Sequence, residues 1–197
     1  MSISALQEIW RQKYDCVPQQ LEKVKQVHSA ATAFNTNIDA VLKISGKSLS
    51  ELIKAVNLSE DEFNSSRTLL ETPQDVMHGI AKCFSRGIAE EWISDDKAVY
   101  EWMRQNLGYD RLQMGGQGGI VANALAVLGV QNVFVHTNSH PKLQAQQFLP
   151  LDNLLGIDEN GEACRACDID RAAETPLVHW IIEFDIGDLF TAWGKEF

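Results

Sequence analysis

Residues 114–123 have the sequence MGGQGGIVAN, and four of the chain's 13 glycines lie between positions 115 and 119. The residues before them, 111–114, favour a short strand, and residues 120–128 favour a helix. A glycine-rich turn between a strand and a helix lets a ligand approach the backbone closely, because no Cβ stands in the way. The N-terminus of such a helix also presents free N–H groups to a ligand. We therefore predict a ligand site at this turn.

The residues that follow the turn indicate an α/β fold. The predicted helix ends at Leu128, and Gly129 suits the C-terminal cap. Residues 132–136 favour a further buried strand. A strand, a turn, a helix and a strand within about 26 residues form a βαβ unit, which predicts a parallel sheet.

A second polar segment follows an earlier predicted strand. Residues 30–34 favour a buried strand that continues into NTNID at 35–39, and residues 41–44 continue as extended chain. Open α/β sheets bind ligands at the ends of their strands, so this segment is a second candidate. A turn built from Asn and Asp side chains explains the same residues, and both interpretations stay open on this pattern alone.

The rest of the chain alternates helical and irregular segments. A proline at the first helical position and an acid in the first turn predict a helix start at 72–75. Residues 57–72 favour a surface connection, residues 150–174 are predicted to be irregular, and 177–184 favour a last strand. Helical spacing predicts further helices at 4–14, after Pro18, and at 48–56, 72–86, 94–107 and 140–148.

Composition limits the classes of function. The chain has 197 residues, enough for one domain or for one domain with a small lobe. Its formal net charge of -10 repels phosphate backbones, so we expect no nucleic-acid partner. No apolar run is long enough to span a membrane, and the first residues lack the apolar core of a signal peptide. We predict a cytoplasmic protein without a membrane partner; its oligomeric state is not predicted.

Cysteine and histidine spacing does not predict a metal site. Cys164 and Cys167 form a single C-x-x-C, whereas a structural zinc site needs four ligands. A redox or zinc role is the alternative to the reduced thiols that we predict.

Three motifs in the same order resemble the ADP-dependent glucokinase and phosphofructokinase family, a branch of the ribokinase-like sugar kinases. Residues 114–123 match its Met-Gly-Gly-Gln-x-Gly-Ile-x-Ala-Asn motif, and residues 35–40 match Asn-x-Asn-x-Asp-Ala. Residues 87–91 resemble a further stretch that ends in a sugar-contacting glutamate in the glucose-using members.

The resemblance implies an α/β, ribokinase-like fold with a mostly parallel central sheet flanked by helices and part of a small lid lobe. We expect residues 1–197 to form the N-terminal part of a single domain of this kind, truncated relative to the family. The lid lobe is expected to come from about 41–70 and 150–197.

The resemblance also implies a small-molecule partner, a sugar or a sugar phosphate. Asn37 and Asp39 are expected to bond sugar hydroxyls, and the glycines and Gln117 to let the sugar lie against the backbone. Glu91, or Glu90 if the match slips by one position, is expected to add an acceptor and to favour glucose. The predicted substrate-binding residues are Asn35, Asn37, Asp39, Glu91, Gly115, Gly116, Gln117 and Asn123.

One family motif is missing from these residues. The family transfers phosphate with a Gly-x-Gly-Asp motif whose aspartate is the base, and Gly187-Asp188 lacks the first glycine. We therefore predict no catalytic residue here. Mg²⁺ and ADP are implied by the resemblance, but their binding segments are not among these residues. We expect the sugar-binding half of a kinase that moves the β-phosphoryl group of ADP to glucose or fructose 6-phosphate, inactive or nearly so by itself.

Two alternatives remain. The chain can be a non-catalytic sugar-binding or interaction module, or a gene remnant. A nucleotide at the glycine turn is less favoured, because neither Gly-x-Gly-x-x-Gly nor a phosphate loop with Lys-Ser/Thr is present.

Overall fold

The computed structural model describes residues 3–66 and 69–197. Its helices are α1 (Ile3–Asp15), α2 (Val17–Val24), α3 (Gly46–Ala55), α4 (Glu60–Phe63), α5 (Pro73–Arg86), α6 (Lys97–Asn106), α7 (Gln117–Val127) and α8 (Lys142–Ala145). Its strands are β1 (Ser29–Thr32), β2 (Asn37–Lys43), β3 (Arg111–Gly115), β4 (Asn132–Val135), β5 (Leu154–Ile157), β6 (Ala163–Arg165), β7 (Val178–Glu183), β8 (Thr191–Ala192) and β9 (Lys195–Glu196). None of the helices in these ranges is long and apolar enough to cross a membrane.

The chain forms two compact units. Unit 1 contains the residues up to Asp39 together with Gln113–His179, and unit 2 contains Ala40–Leu112 and Trp180–Phe197. The chain passes from one unit to the other within β2, β3 and β7, which form a three-stranded sheet in the order β3-β2-β7.

Unit 1 contains a four-stranded sheet in the order β1-β4-β5-β6. β1 pairs with β4 in parallel from Ser29↔Asn132 to Thr32↔Val135, and β4 pairs with β5 in parallel. β6 is the antiparallel edge. α7 packs against β1 and β4. The core of unit 1 contains Ala122, Ala126, Val130, Val133, Val135, Phe148, Leu154 and Ala166. The predicted α/β class with a mostly parallel sheet and flanking helices is confirmed.

Two details of this sheet differ from the prediction. β3 and β4 flank α7 in the chain, but they belong to different sheets, so they are not the paired strands of a βαβ unit. Sequence proximity indicates a connection but does not specify the strand beside which β4 lies. Residues 150–174 are not irregular, since they contain β5 and β6, which form around a turn at Asp158. Its carboxylate accepts the N–H groups of Asn160 and Glu162, each at 2.9 Å.

Unit 2 is built from α3, α4, α5, α6 and the β8–β9 hairpin around a second core. Thr72 caps α5 by accepting the N–H of Asp75, and Gly87 ends that helix at φ 60°. The predicted helix over 72–86 is therefore confirmed. The predicted connection at 57–72 contains the one-turn helix α4, and its residues 67 and 68 lie outside the described part. The core of unit 2 contains Ile44, Leu49, Ile53, Val56, Leu58, Val76, Met77, Ala81, Phe84, Val99, Leu107, Phe190 and Ala192.

The unit boundaries differ in part from the predicted lid segments. Residues 41–70 and 180–197 belong to unit 2, as do residues 71–112, which we did not assign to the lobe. Residues 150–179 belong to unit 1. That unit 2 acts as a lid stays a prediction.

Candidate functional site

The polar segment at 35–39 leads into a strand. Asn37 is the first residue of β2 and Asp39 the third, and alternate residues of a strand share one face. The alternative of a turn built from their side chains is therefore wrong for these two residues. Phe34, just before the segment, has φ 74° and is 79% exposed, so the predicted strand ends at Thr32. The residues of β1 are exposed or half-buried, so the prediction that this strand is buried is wrong. Positive φ in a bulky residue is strained, and such strain concentrates near functional sites.

Asn37 and Asp39 form a hydrogen-bonded pair. The Nδ2 group of Asn37 donates to Oδ1 of Asp39 at 3.0 Å. Asn37 is only 4% exposed, and its Oδ1 atom is buried without a hydrogen-bond partner among the described residues. An unpaired buried acceptor costs about 1–3 kcal/mol, so it marks a place for a donor from a ligand or a water molecule.

The glycines of the 114–123 segment lie directly against this pair. A Cβ on Gly115 would lie within 3.0 Å of both Asp39 Oδ1 and Asn37 Nδ2. A Cβ on Gly116, where φ is 73°, would overlap the carbonyl oxygen of Asn35 and Oδ1 of Asn37. No other residue type fits either position without a shift. The structure therefore brings together the two motifs that the sequence places 76 positions apart, at 39 and 115.

The helix after the glycines begins earlier than expected. α7 starts at Gln117 rather than at residue 120, so Gly118 and Gly119 form part of its first turn and are buried. The N–H of Gly118 donates to the carbonyl of Asn35 at 2.7 Å. This bond fixes the backbone of the polar segment against the helix. Gln117 and the side chain of Asn35 are exposed beside it.

Asn123 has a different environment from the other predicted residues. Its Nδ2 donates to the carbonyl of Gln147 at 3.2 Å, and its Oδ1 accepts the N–H of Leu149 at 3.0 Å. These two hydrogen bonds connect α7 to residues 147–149, which follow α8. Its role in substrate binding stays a prediction, and the cluster described above does not depend on it.

Glu91 belongs to unit 2, whereas the other seven predicted residues belong to unit 1. It is exposed in the stretch between α5 and α6. Its neighbour Glu90 accepts hydrogen bonds from Lys82 Nζ at 3.4 Å and from the indole N–H of Trp92 at 3.2 Å. Which of the two glutamates contacts a sugar stays a prediction.

Unit 2 also contains a cavity of about 540 Å³. Its wall is mainly apolar and includes Trp92, Met103 and Trp180, with Glu90 as one of its few polar residues. A sugar needs several directional polar partners, and this wall has few of them. The cluster around Asn37 and Asp39 is therefore the better candidate for sugar binding.

Within residues 3–66 and 69–197, no group of three or more His, Cys, Asp or Glu side chains is placed to hold a metal ion. The described residues thus provide no ligand group for the Mg²⁺ that the resemblance implies. Cys164 and Cys167 are free thiols, and burial raises the pKa of each, which lowers their reactivity.

Comparison with known proteins identifies the family of the chain. The family model described as the ADP-specific phosphofructokinase/glucokinase conserved region matches residues 28–196. An ADP-dependent glucose/glucosamine kinase of Pyrococcus abyssi is 33% identical over 186 residues, which are 91% of this chain and 39% of that protein. An ADP-specific phosphofructokinase of Methanosarcina acetivorans is 26% identical over 96% of this chain and 40% of its own length.

Solved structures of ADP-dependent kinases also resemble this chain. The last common ancestor of ADP-dependent phosphofructokinases from Methanosarcinales superposes with a TM-score of 0.74 at 30% identity, over 100% of this chain and 41% of that one. An ADP-dependent kinase in complex with fructose 6-phosphate and ADPβS superposes with a TM-score of 0.68 at 29% identity, over 95% and 36%. The chain thus spans about 40% of the length of the curated relatives that it matches.

Proposed function

Because the chain belongs to the family of ADP-specific phosphofructokinases and glucokinases, we propose that its residues bind the sugar substrate of such a kinase. The observation that carries the proposal is the unpaired Asn37 Oδ1 atom beside Asp39 and two glycines where an added Cβ would overlap neighbouring atoms. A sugar hydroxyl can donate to Oδ1 of Asn37 and to the carboxylate of Asp39. The close glycine backbone leaves room for a ring against it.

The proposed division of labour follows from what the cluster contains. It offers acceptors for hydroxyl groups, whereas phosphoryl transfer needs positive charge around the transferring group and a base on the acceptor hydroxyl. The Gly-x-Gly-Asp motif that would supply the base is absent from the sequence. We propose that in a complete enzyme the reaction is transfer of the β-phosphoryl group of ADP to glucose or fructose 6-phosphate in the cytoplasm, with Mg²⁺. These residues alone would bind without catalysing it.

We further propose that unit 2 is the lid lobe and supplies Glu91. A carboxylate at that position repels a phosphorylated sugar and accepts a hydroxyl of a neutral one, which favours glucose. A non-catalytic sugar-binding or interaction module is the second candidate.

A coupled assay of the purified chain with ADP, Mg²⁺ and either sugar tests the division of labour. We expect no turnover above the background without enzyme. Steady ADP-dependent turnover by the 197 residues would contradict it. Titration of glucose and fructose 6-phosphate in the same preparation then distinguishes a sugar-binding chain from a remnant, for which neither sugar binds.

A further inference from the structure

A second polar pocket lies in unit 1, apart from the residues proposed to bind the sugar. It has a volume of about 170 Å³ and lies at the carboxyl ends of the parallel strands β1, β4 and β5. Its polar wall consists of Thr32, His136, Thr137, His140 and Arg171. Open α/β sheets hold ligands at this end of their strands. Neither the motifs nor the proposed function uses these side chains.

Two polar atoms of this wall are unsatisfied. Thr32 Oγ1 and Arg171 Nε are buried and have no hydrogen-bond partner among the described residues. Both groups can donate, the hydroxyl through its O–H and the guanidinium through its Nε–H. Buried donors of this kind are normally paired, so two of them on one small pocket need an explanation.

The guanidinium is held in place by its other contacts. Arg171 Nη2 donates to the carbonyl of Ile157 at 2.8 Å, and Nη1 lies 3.5 Å from Glu174 Oε1. The other carboxylate oxygen of Glu174 accepts the backbone N–H of His140 at 2.6 Å. Glu174 offsets part of the positive charge, but it is not among the residues that line the pocket.

One of the two histidines of the wall, His140, does not compete for a ligand. His140 Nε2 donates to the carbonyl of Ala166 at 2.8 Å, so the neutral ring accepts the Thr137 hydroxyl at Nδ1, at 3.0 Å. Both ring nitrogens of His140 therefore have partners, and the unsatisfied donors of Thr32 and Arg171 remain available to a ligand. A ligand that accepts hydrogen bonds from a hydroxyl and from a guanidinium at the same time is typically an oxyanion.

We propose that this pocket binds a small oxyanion, phosphate or carboxylate, through the Arg171 guanidinium and the Thr32 hydroxyl. The pocket has room for more than a single water molecule, whose share of liquid volume is about 30 Å³. The pocket shares no lining residue with the cluster around Asn37 and Asp39, and the proposal does not depend on the proposed sugar function.

Titration of sodium phosphate and of sodium acetate into ¹⁵N-labelled chain, at constant ionic strength with chloride, tests the proposal. We expect saturable amide shifts at residues 31–33 and 134–137, and the two anions distinguish phosphate from carboxylate preference. Arg171→Gln removes the charge and should weaken binding about tenfold or more, since charge-assisted bonds are the stronger ones. Thr32→Val removes one donor and should weaken it about threefold.

Matched controls keep the test decisive. Arg165→Gln removes an exposed arginine of unit 1 that pairs with Asp168 outside the pocket, and should leave the affinity unchanged. Asp39→Ala should also leave it unchanged. Amide shifts that do not saturate would overturn the proposal. So would anion affinities equal to that of the wild type in both Thr32→Val and an Arg171→Gln chain with native circular dichroism. If Arg171→Gln fails to fold, the Thr32→Val titration decides.

Discussion

At the residue scale, the candidate site depends on the absence of side chains at Gly115 and Gly116. The sequence suggested ligand access as the reason for these glycines. The structure adds a second reason, because Asn35, Asn37 and Asp39 already fill the space that a Cβ would need. The proximity of Asn37 and Asp39 to the glycines was predictable from the family resemblance. The unpaired Oδ1 of Asn37 was not, since it depends on which of its neighbours lie within bonding distance.

Substitution of Gly116 tests this packing. We expect Gly116→Ala to lower the free energy of unfolding by about 4 kcal/mol. About 2 kcal/mol of this reflects the backbone conformation at φ 73° and ψ 143°, which non-glycine residues rarely adopt, and about 2 kcal/mol the overlap with Asn35 and Asn37. Gly161→Ala is the matched control, because Gly161 has φ 84° and nothing within 4 Å of its Cβ position. Urea denaturation followed by far-UV circular dichroism measures both. Equal losses in the two variants would contradict the packing.

His140 gives a prediction on pH. Burial lowers the pKa of His140, which is 1% exposed, against opposing contributions from the Ala166 bond, Glu174 and Asp170. The unfolded chain, with a histidine pKa of about 6.5, therefore takes up a proton before the folded chain does. The stability that neutral His140 contributes is complete above about pH 6.5 and is lost as the pH falls below it.

Replacement of His140 should remove its contribution to the loss of stability at low pH. Between pH 7.5 and 5.5 we expect the free energy of unfolding of His140→Gln to fall less than that of the wild type, by up to about 1.4 kcal/mol per pH unit. Identical slopes for the wild type and His140→Gln would contradict the assignment.

At the scale of elements, local signals predicted helices better than they predicted sheets. α5 was predictable because its cap, its proline and its final glycine are all within the segment itself. β5 and β6 were not, because a four-residue and a three-residue strand form only by pairing with neighbours elsewhere in the chain. The same reason explains why the predicted βαβ unit did not identify β1 as the strand beside β4.

The N-terminal cap of α5 provides a test at this scale. The hydroxyl of Thr72 accepts the backbone N–H of Asp75 at 3.2 Å and donates to Oδ2 of Asp75 at 2.7 Å, and Thr72→Ala removes both bonds. We expect a loss of about 1 kcal/mol in the stability of unit 2. Thr72→Ser keeps both bonds and should recover most of it. A Thr72→Ala chain as stable as the wild type would show that the cap contributes nothing.

At the scale of the whole molecule, the two cores predict unfolding with low cooperativity. Each unit has its own core, and four of the five tryptophans belong to unit 2. Tryptophan fluorescence should therefore report mainly unit 2, whereas far-UV circular dichroism reports both units. We expect the two probes to give different thermal midpoints. Coincident transitions, with equal calorimetric and van't Hoff enthalpies, would contradict this expectation.

The central claim is that the Asn37–Asp39 cluster binds a sugar. Isothermal titration calorimetry of glucose and of fructose 6-phosphate into the wild type, Asp39→Ala and Asp152→Ala tests it most directly. Asp152 is an aspartate of the same unit with a side chain that is 96% exposed. We predict that at least one sugar binds the wild type and Asp152→Ala equally, and binds Asp39→Ala about tenfold more weakly or worse. No binding of either sugar to the wild type, or equal binding to Asp39→Ala, would contradict the claim.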